Sequence, residues 1–233
     1  MVIKLEAEAS SFRDTFGRVY YYNKKIIRTV NKIAKTNYEF IRDNQILSKS
    51  IQNKYLIETI ELDKSKFENE FFDVSYLLES KLLPHVSYPY EWSFEQLKAA
   101  ALHHLKFQLF LFDHNAVLRD ATAYNIQFVG SEPIFIDVLS IKEYKDGEYW
   151  LAYRQFCENF LNPLLLRVIK GIPHNNWFRG ALEGIETIEL NKLLGLRNKI
   201  SWKVFVHVVL QAKLIQKAIN NPKIASKKVK HLK

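Results

Sequence analysis

Residues 118–141, LRDATAYNIQFVGSEPIFIDVLSI, place three acidic or amide side chains at the ends of two short apolar runs. Asp120 opens a loop, Asn125 ends that loop, and Asp137 follows the second apolar run. The two runs are separated by Gly-Ser-Glu-Pro, which is typical of a hairpin turn. Because paired strands bring their ends together, the stretch predicts that Asn125 and Asp137 lie at the same edge of a hairpin.

Phosphoryl transfer uses these residue types. One carboxylate orients or deprotonates the attacking hydroxyl, and an amide with a second carboxylate holds magnesium between the phosphates. The spacing of Asp120, Asn125 and Asp137 is compatible with these three roles. A purely structural alternative exists for each residue: Asp120 can cap a turn, Asn125 can occupy a left-handed position, and Asp137 can begin an Asx turn.

The composition is that of a globular protein with a large core, since 48% of the 233 residues are hydrophobic. The sequence contains no apolar run long enough to span a membrane, and charges near its start are not those of a signal peptide. The single cysteine, Cys157, excludes an internal disulfide and a multi-cysteine metal site, and we expect it in the core. We therefore expect a cytoplasmic protein without a transmembrane segment.

The formal net charge of +9 is concentrated at the end of the sequence. Residues 199–233 contain nine lysines and no Asp or Glu, whereas the rest of the chain is balanced. A solvated basic tail explains this distribution better than a nucleic-acid-binding arm, so we expect no nucleic-acid partner. An acidic partner surface or a membrane face stays open as an alternative.

The first part of the sequence, residues 1–86, predicts a small strand-rich lobe. Two β-rich runs flank Asn23-Lys24, which indicates a hairpin. Apolar residues at helical spacing predict one main helix over 31–46. The strings YLIETIEL and FFDVSYLLESKLL favour two further strands.

The second part, residues 87–221, predicts a helical lobe that contains the loop and hairpin of 118–138. Ser93 and Gln96 have the spacing of a capping box, and the helix after them is expected to end near residue 112. Helical patterns follow near residues 148–169, 187–194 and 199–220, and residues 222–233 form the predicted basic, flexible tail.

Three other features allow both a structural and a functional interpretation. The aromatic string SYPYEW can line a ligand groove or pack across a connector. In YRQF, Arg154 and Gln155 lie on an apolar helix, where Arg154 can be a buried structural arginine packed near the loop or can contact a substrate. His103 and His104 lack partners at metal-binding spacing and are expected to be core or surface histidines.

The segment from Asp120 through Ala-Thr-Ala-Tyr to Asn125, followed by Asp137 in PIFIDV, resembles the catalytic centre of the protein-kinase-like fold, especially its aminoglycoside-phosphotransferase branch. The resemblance implies an α+β, two-lobed fold and a phosphotransferase that uses ATP and Mg²⁺ on a small hydroxylated acceptor such as a sugar. It makes Asp120 the catalytic base and makes Asn125 and Asp137 the metal ligands.

The sequence also departs from that family's pattern. Leu118-Arg119 precedes the base where the family often has His, and Val138-Leu139 follows the metal-binding Asp in place of an aromatic residue and Gly. Gly17 is the one glycine near the first strand, so a glycine-rich phosphate loop is missing. The expected cation of the small lobe is Arg28 or Lys25, with Glu39 as its carboxylate partner; all three are predicted cofactor-binding residues.

A second resemblance covers nearly the whole sequence. The strings SYPYEWSFEQLKAAAL, LRDATAYNIQF, PIFIDVLSI, WLAYRQFCENFLNPLL and WFRGALEGI resemble the N-terminal half of longer bacterial proteins described as SAM-dependent methyltransferases, some of them nodulation-related. The sequence has seven glycines and no Gly-x-Gly after a strand, so methyltransferase activity is not expected from this chain alone. A methyltransferase is instead an expected partner.

Three functional hypotheses follow from the sequence. The chain is a metal-dependent phosphotransferase, or a catalytically inactive module that binds a nucleotide or acceptor beside a methyltransferase, or a structural domain without a ligand.

Overall fold

The computed structural model describes residues 5–8, 11, 14–67, 71 and 73–220; the predicted tail at 222–233 lies outside them. Within these residues the chain is a mixed α+β protein, as predicted. Its largest sheet is antiparallel, with the order β1-β2-β3-β5-β4. The strands are β1 (Glu6–Ala7), β2 (Val19–Tyr22), β3 (Lys25–Val30), β4 (Thr59–Leu62) and β5 (Tyr76–Lys81).

The hairpin predicted at Asn23-Lys24 is confirmed. Both residues have positive φ angles, 45° and 60°, as a two-residue turn between twisted strands requires. A helix is present where one was predicted over 31–46, but it is interrupted before residue 46, because Gln45 adopts a left-handed conformation. The helical stretch consists of a 3₁₀ turn, α1 (Lys35–Asp43) and α2 (Ile46–Gln52), all placed between β3 and β4 in the sequence.

Two small sheets carry the quoted segment and its surroundings. β6 (Ala116–Leu118) pairs with β9 (Ile141–Glu143), and β7 (Ile126–Val129) pairs with β8 (Glu132–Phe135). The second pair is the predicted hairpin, but its turn is the dipeptide Gly130-Ser131 rather than four residues. The shorter turn is possible because Gly130 adopts a φ of 64°.

The long helix predicted after Ser93 is confirmed as α3 (Phe94–Phe112). Its capping box is reciprocal: the Gln96 backbone N–H donates to the Ser93 hydroxyl at 3.2 Å, and the Ser93 N–H donates to the Gln96 side chain at 2.9 Å. The later helices are α4 (Tyr153–Phe156), α5 (Asn162–Lys170), α6 (Asn175–Gly180), α7 (Thr187–Leu193), α8 (Leu196–Lys199), α9 (Trp202–Val204) and α10 (Gln211–Asn220). π-Helical turns at Cys157–Leu161 and Phe205–Leu210 join α4 to α5 and α9 to α10.

The chain divides into two compact units. The first unit comprises Met1–Val86, His103–Arg119 and Asn125–Lys145, and the second comprises Ser87–Leu102, Asp120–Tyr124 and Asp146–Lys233. Each unit has its own apolar cluster of buried side chains. That of the first unit includes Ile27, Phe67, Phe71 and Leu77; that of the second includes Leu166, Ile185, Leu190, Leu194, Val204 and Val208.

No helix among the described residues combines the length and the apolar character that crossing a bilayer demands.

Candidate functional site

Arg28 is the centre of a charged cluster in the first unit. Its Nη2 atom lies 2.7 Å from Asp14 Oδ2 and 3.0 Å from Asp137 Oδ1. The three side chains are mostly withdrawn from water, with exposed fractions of 17% for Arg28, 28% for Asp14 and 17% for Asp137. Two carboxylates and one guanidinium leave this group with one excess negative charge.

Asp137 is positioned by the end of β8, and both of its carboxylate oxygens are engaged. Oδ1 accepts a hydrogen bond from the Leu139 backbone N–H at 3.0 Å, besides its contact with Arg28. Oδ2 accepts from the Ser140 hydroxyl at 3.0 Å. The Leu139 bond is the Asx turn that the structural alternative predicted, so Asp137 has a structural function in addition to its charge pairing.

Asn125 reaches the same place from the start of β7. The side-chain NH₂ group of Asn125 donates to the Ser140 hydroxyl at 3.3 Å. The backbone carbonyl oxygen of Asn125 accepts from the Ile136 N–H at 2.9 Å. Ser140 therefore links Asn125 to Asp137, which places the two predicted metal ligands together at one end of the hairpin. Asp14, Arg28, Asn125, Asp137 and Ser140 are called the Arg28 cluster below.

The segment Asp14–Gly17 is packed closely against this cluster. The Phe16 N–H donates to Asp14 Oδ1 at 2.8 Å, and the Arg119 guanidinium lies 3.8 Å from the centre of the Phe16 ring. A Cβ atom on Gly17 would lie 1.9 Å from the Thr29 carbonyl oxygen, so glycine is required by close approach to β3. Gly17, the glycine near the first strand, thus allows this segment to pack against β3.

The Nε atom of Arg28 is buried and has no hydrogen-bond partner. An unsatisfied buried N–H costs about 1–3 kcal/mol, and Arg28 has this donor beside the Nη2 that two carboxylates already contact. The Nε and Nη2 groups form the edge with which a guanidinium grips two oxygens of a carboxylate or phosphate.

The two other predicted small-lobe residues lie outside this cluster. Lys25 pairs with Glu79 at 2.6 Å and is half exposed. Glu39 accepts a hydrogen bond from the Tyr76 hydroxyl at 2.6 Å, which raises the pKa of that hydroxyl. The expected pairing of Arg28 with Glu39 is therefore wrong, because Asp14 and Asp137 take the guanidinium instead.

In the second unit, side-chain amides hold the segment Asp120–Tyr124, called the Asp120 loop below. The Ala121 N–H donates to the Gln155 side chain at 2.8 Å, and the Ala123 N–H donates to the Asn159 side chain at 3.0 Å. Asn159 is fully buried in the first π-helical turn and donates in turn to the Glu183 carbonyl at 3.1 Å. Asp120, the predicted base, is half-buried on this fixed loop.

Of the two polar residues of α4, Gln155 holds the Asp120 loop through its side-chain oxygen. The alternative in which Arg154 is a buried structural arginine is wrong. Its side chain is 58% exposed and pairs with Glu158 at 2.9 Å, one helical turn away.

The aromatic string of residues 87–92 also belongs to the second unit. The Tyr88 and Tyr90 rings stack with centres 5.4 Å apart, and the Tyr124 ring lies 6.4 Å from that of Tyr88. The Asn175 amide donates to the carbonyls of Tyr90 and Trp92, which fixes this segment. Burial raises the pKa of the Tyr124 hydroxyl still further above neutral pH.

The remaining titratable candidates are structural. His103 Nε2 lies 2.9 Å from the Tyr55 carbonyl oxygen, His104 is buried, and burial lowers the pKa of His103. Cys157 is buried as expected, and burial raises the pKa of its thiol to about 11, so the reactive thiolate is scarce. Among the described residues, no cluster of three His, Cys, Asp or Glu side chains could hold a metal.

Sequence reasoning missed Asp14, Ser140 and Asn159. Ser140 had a local signal, since it follows Asp137 by three residues in a position where its hydroxyl can reach back. Asn159 also had one, because Gln155 and Asn159 are polar residues one turn apart on a helix that also carries many apolar residues. Asp14 had none, because only the sheet brings it to Arg28.

Comparisons with known proteins give one informative similarity. No protein-family model matches the chain. Over 216 residues it is 43% identical to the nodulation protein NoeA of Rhizobium meliloti (strain 1021), an alignment that covers 93% of this chain and 45% of that protein. The chain thus spans less than half the length of this relative.

Proposed function

We propose that this chain is a kinase-like domain that binds Mg-ATP at the Arg28 cluster and transfers a phosphoryl group to a small hydroxylated acceptor. The observation that carries the proposal is the contact of Arg28 with Asp137. In protein kinases, the cation that binds phosphate lies on the third strand of the sheet, and the metal-binding Asp follows a strand in the second half of the domain. Arg28 on β3 and Asp137 after β8 have these positions.

The sheet supports the same fold. A kinase-like lobe carries a helix after the strand that bears the cation, and here α1 and α2 follow β3. The two-lobed, kinase-like arrangement is part of the proposal.

The donor set fits a magnesium ion. A carboxylate offers about four lone-pair sites, and Arg28, Leu139 and Ser140 use three of those of Asp137. One site remains on Asp137, and Asn125 would add an amide oxygen beside it. The excess negative charge of the cluster attracts a cation and repels a free triphosphate, so ATP is expected to bind only with its metal. When bound, magnesium would neutralise phosphate charge.

Arg28 would hold phosphate oxygens with its Nε and Nη2 groups. Arginine is suited to this task because its planar donors match two oxygens at once. In the structure both Asp14 and Asp137 contact Nη2, and Nε has no partner. Since Asp137 is assigned to the metal, we expect phosphate to displace Asp14 from Arg28.

Asp120 would act on the acceptor as the catalytic base. Its loop is held by Gln155 and Asn159, so substitution of the Asp120 side chain need not disturb the backbone. Asp120→Asn is expected to abolish phosphoryl transfer and to leave the melting temperature within about 2 °C of wild type, because asparagine keeps the shape of the side chain. Transfer by this variant at the wild-type rate would contradict the assignment.

One specific observation favours a second function, that of an inactive nucleotide- or acceptor-binding module. Arg28 already neutralises Asp137, and Leu139 and Ser140 donate to the same carboxylate. A carboxylate with three partners already in place suits a site that binds without turnover. The module would then accompany a methyltransferase, either as a partner or in the remainder of a longer protein.

The first experiment is thermal melting of wild type, Asp137→Ala and Asp113→Ala with ATP, with magnesium, and with both. Asp113 is an exposed aspartate and serves as the matched control. We expect ATP and magnesium together to stabilise wild type and Asp113→Ala by several degrees, and Asp137→Ala by none. No stabilisation of wild type would contradict both the phosphotransferase and a module that binds nucleotide, and would favour an acceptor-binding or structural domain.

A phosphoryl-transfer assay with a panel of sugars then separates the two functions. Transfer that requires Asp120 supports the phosphotransferase. Stabilisation by Mg-ATP without consumption of ATP supports the inactive module.

A further inference from the structure

The last helices of the second unit carry an unusual density of exposed apolar side chains. Leu196 is 84% exposed, Ile200 82% and Trp202 74%. Exposed large apolar residues between 196 and 219 form what is called the C-terminal apolar surface below: Leu196, Ile200, Trp202, Phe205, Leu210, Leu214 and Ile219. Seven such residues within 24 positions are more than the singly scattered apolar side chains that an ordinary surface shows, and a concentration of this kind marks an interaction site.

Buried side chains of α9, the second π-helical turn and α10 anchor this part of the chain. Val204, Val208 and Ala212 recur at intervals of four residues and are buried. Val204 and Val208 belong to the core cluster of the second unit, together with Leu166 and Leu190. The helices therefore cannot turn their exposed apolar side chains inward without losing this packing.

The charge of the same segment is entirely positive. Its described basic residues are Arg197, Lys199, Lys203, Lys213 and Lys217, and Glu189 is the last acidic residue of the sequence. Trp202 stacks on Phe205 with ring centres 6.3 Å apart, so an aromatic pair lies among these cations. Apolar and basic side chains thus share one stretch without a single carboxylate.

We propose that the C-terminal apolar surface binds peripherally to a membrane that contains anionic lipids. Interfacial helices that lie on a bilayer combine Trp, Phe and Leu on one face with Lys and Arg beside it. Anionic headgroups attract the cations, and the aromatic and aliphatic side chains enter the boundary between headgroups and acyl chains. The inference is independent of the proposed kinase-like function.

The composition favours lipid over the other partners of a basic surface. Protein interfaces are depleted in lysine, whereas four of the five described cations here are lysines. Nucleic acid would take the cations but would leave Leu196 and Ile200 in contact with water or phosphate. A bilayer interface accommodates both kinds of side chain at once.

The test is flotation of the full chain with vesicles of phosphatidylcholine, with and without phosphatidylglycerol. We expect binding to the vesicles that contain phosphatidylglycerol and little binding to phosphatidylcholine alone. Added salt is expected to weaken binding, since it screens the headgroup charge. Equal binding to both vesicles, or none to either, would overturn the proposal.

Two variants and a matched control locate the binding site. The double variant I200S/W202S is expected to reduce the partition onto anionic vesicles at least about tenfold, the loss that follows from removing two large apolar contacts. K199Q/K203Q is expected to reduce it by about tenfold or more, since each surface cation contributes about a fivefold factor. L151S removes an apolar side chain that is 78% exposed in the same unit but outside the surface, and should change little.

Size-exclusion chromatography with light scattering, without lipid, tests the competing occupant. A monomer that binds anionic vesicles supports the proposal. A stable dimer that I200S/W202S dissociates, together with absence of vesicle binding, would assign the surface to a second copy and overturn it.

Discussion

The Arg28 cluster and the Asp120 loop are held by different chemistry. In the first unit, Arg28 contacts two carboxylates whose side chains retain some exposure to water. In the second, the backbone N–H groups of Ala121 and Ala123 are held by neutral amides, one of them fully buried. An ionic cluster near water can exchange one partner for a ligand anion, whereas a buried amide that loses its partner leaves unsatisfied groups. Exchangeable ionic contacts and rigid amide contacts thus lie in different regions.

The largest expected effect comes from breaking the rigid region. Asn159→Ala leaves the Ala123 N–H and the Glu183 carbonyl without their partner. We expect a loss of about 3 kcal/mol in the free energy of unfolding and a fall in melting temperature of roughly 6–12 °C, measured by circular dichroism. Asn53→Ala removes an exposed amide bonded to the Lys49 carbonyl and is the control. Similar melting temperatures for both variants would contradict the comparison.

The ionic region is expected to tolerate substitution better. Arg28→Ala leaves Asp14 and Asp137 facing each other without the cation between them, and we expect a loss of about 2 kcal/mol in the free energy of unfolding. Lys25→Ala removes an exposed ion pair on the same strand and should cost less than about 1 kcal/mol. Urea denaturation measures both. A cost for Arg28→Ala as small as that for Lys25→Ala would show that the cluster is not coupled.

Asp14→Asn tests whether Asp14 competes with the ligand for Arg28. This variant removes one of the two carboxylates that contact Arg28 Nη2 and keeps the shape of the side chain. We expect the affinity for Mg-ATP to rise by about tenfold, or ~1.4 kcal/mol, because one competing charge is lost. Isothermal titration calorimetry measures this change, with Asp113→Asn as the control. An unchanged affinity would mean that Asp14 does not compete with phosphate.

The smallest expected effect is a change of stability with pH, and one histidine in each unit contributes to it. Burial lowers the pKa of His103 in the first unit and of His174 in the second. The unfolded chain therefore binds a proton more readily than the folded one, so stability falls as the pH drops below about 6.5. His103→Gln and His174→Gln should each flatten the decline between pH 7 and pH 5 in thermal melts. A decline unaffected by either substitution would assign it to other groups.

Local sequence signals predicted the elements well. The turn at Asn23-Lys24 and the capping box of Ser93 and Gln96 depend on contacts within a few residues, and both are present as expected. The break at Gln45 was not predictable, because no glycine or proline marks it. The left-handed conformation of Gln45 lets α2 begin with Ile46 and Leu47 in the core. The break therefore depends on core packing, which involves the whole unit and not only neighbouring residues.

The sequence by itself determined the type of most elements, the burial of Cys157, and the positions of Asn125 and Asp137 at the ends of apolar runs. Periodicity, turn chemistry and hydrophobicity act over short distances along the chain, so a reader of the sequence can follow them. The tertiary structure alone decided the partners of Arg28. Glu39 was the expected partner, but the sheet and the hairpin bring Asp14 and Asp137 to the guanidinium from distant parts of the chain. The energy of a charge pair depends on the distance between the two groups in space, and the pattern of residues along the sequence does not give that distance.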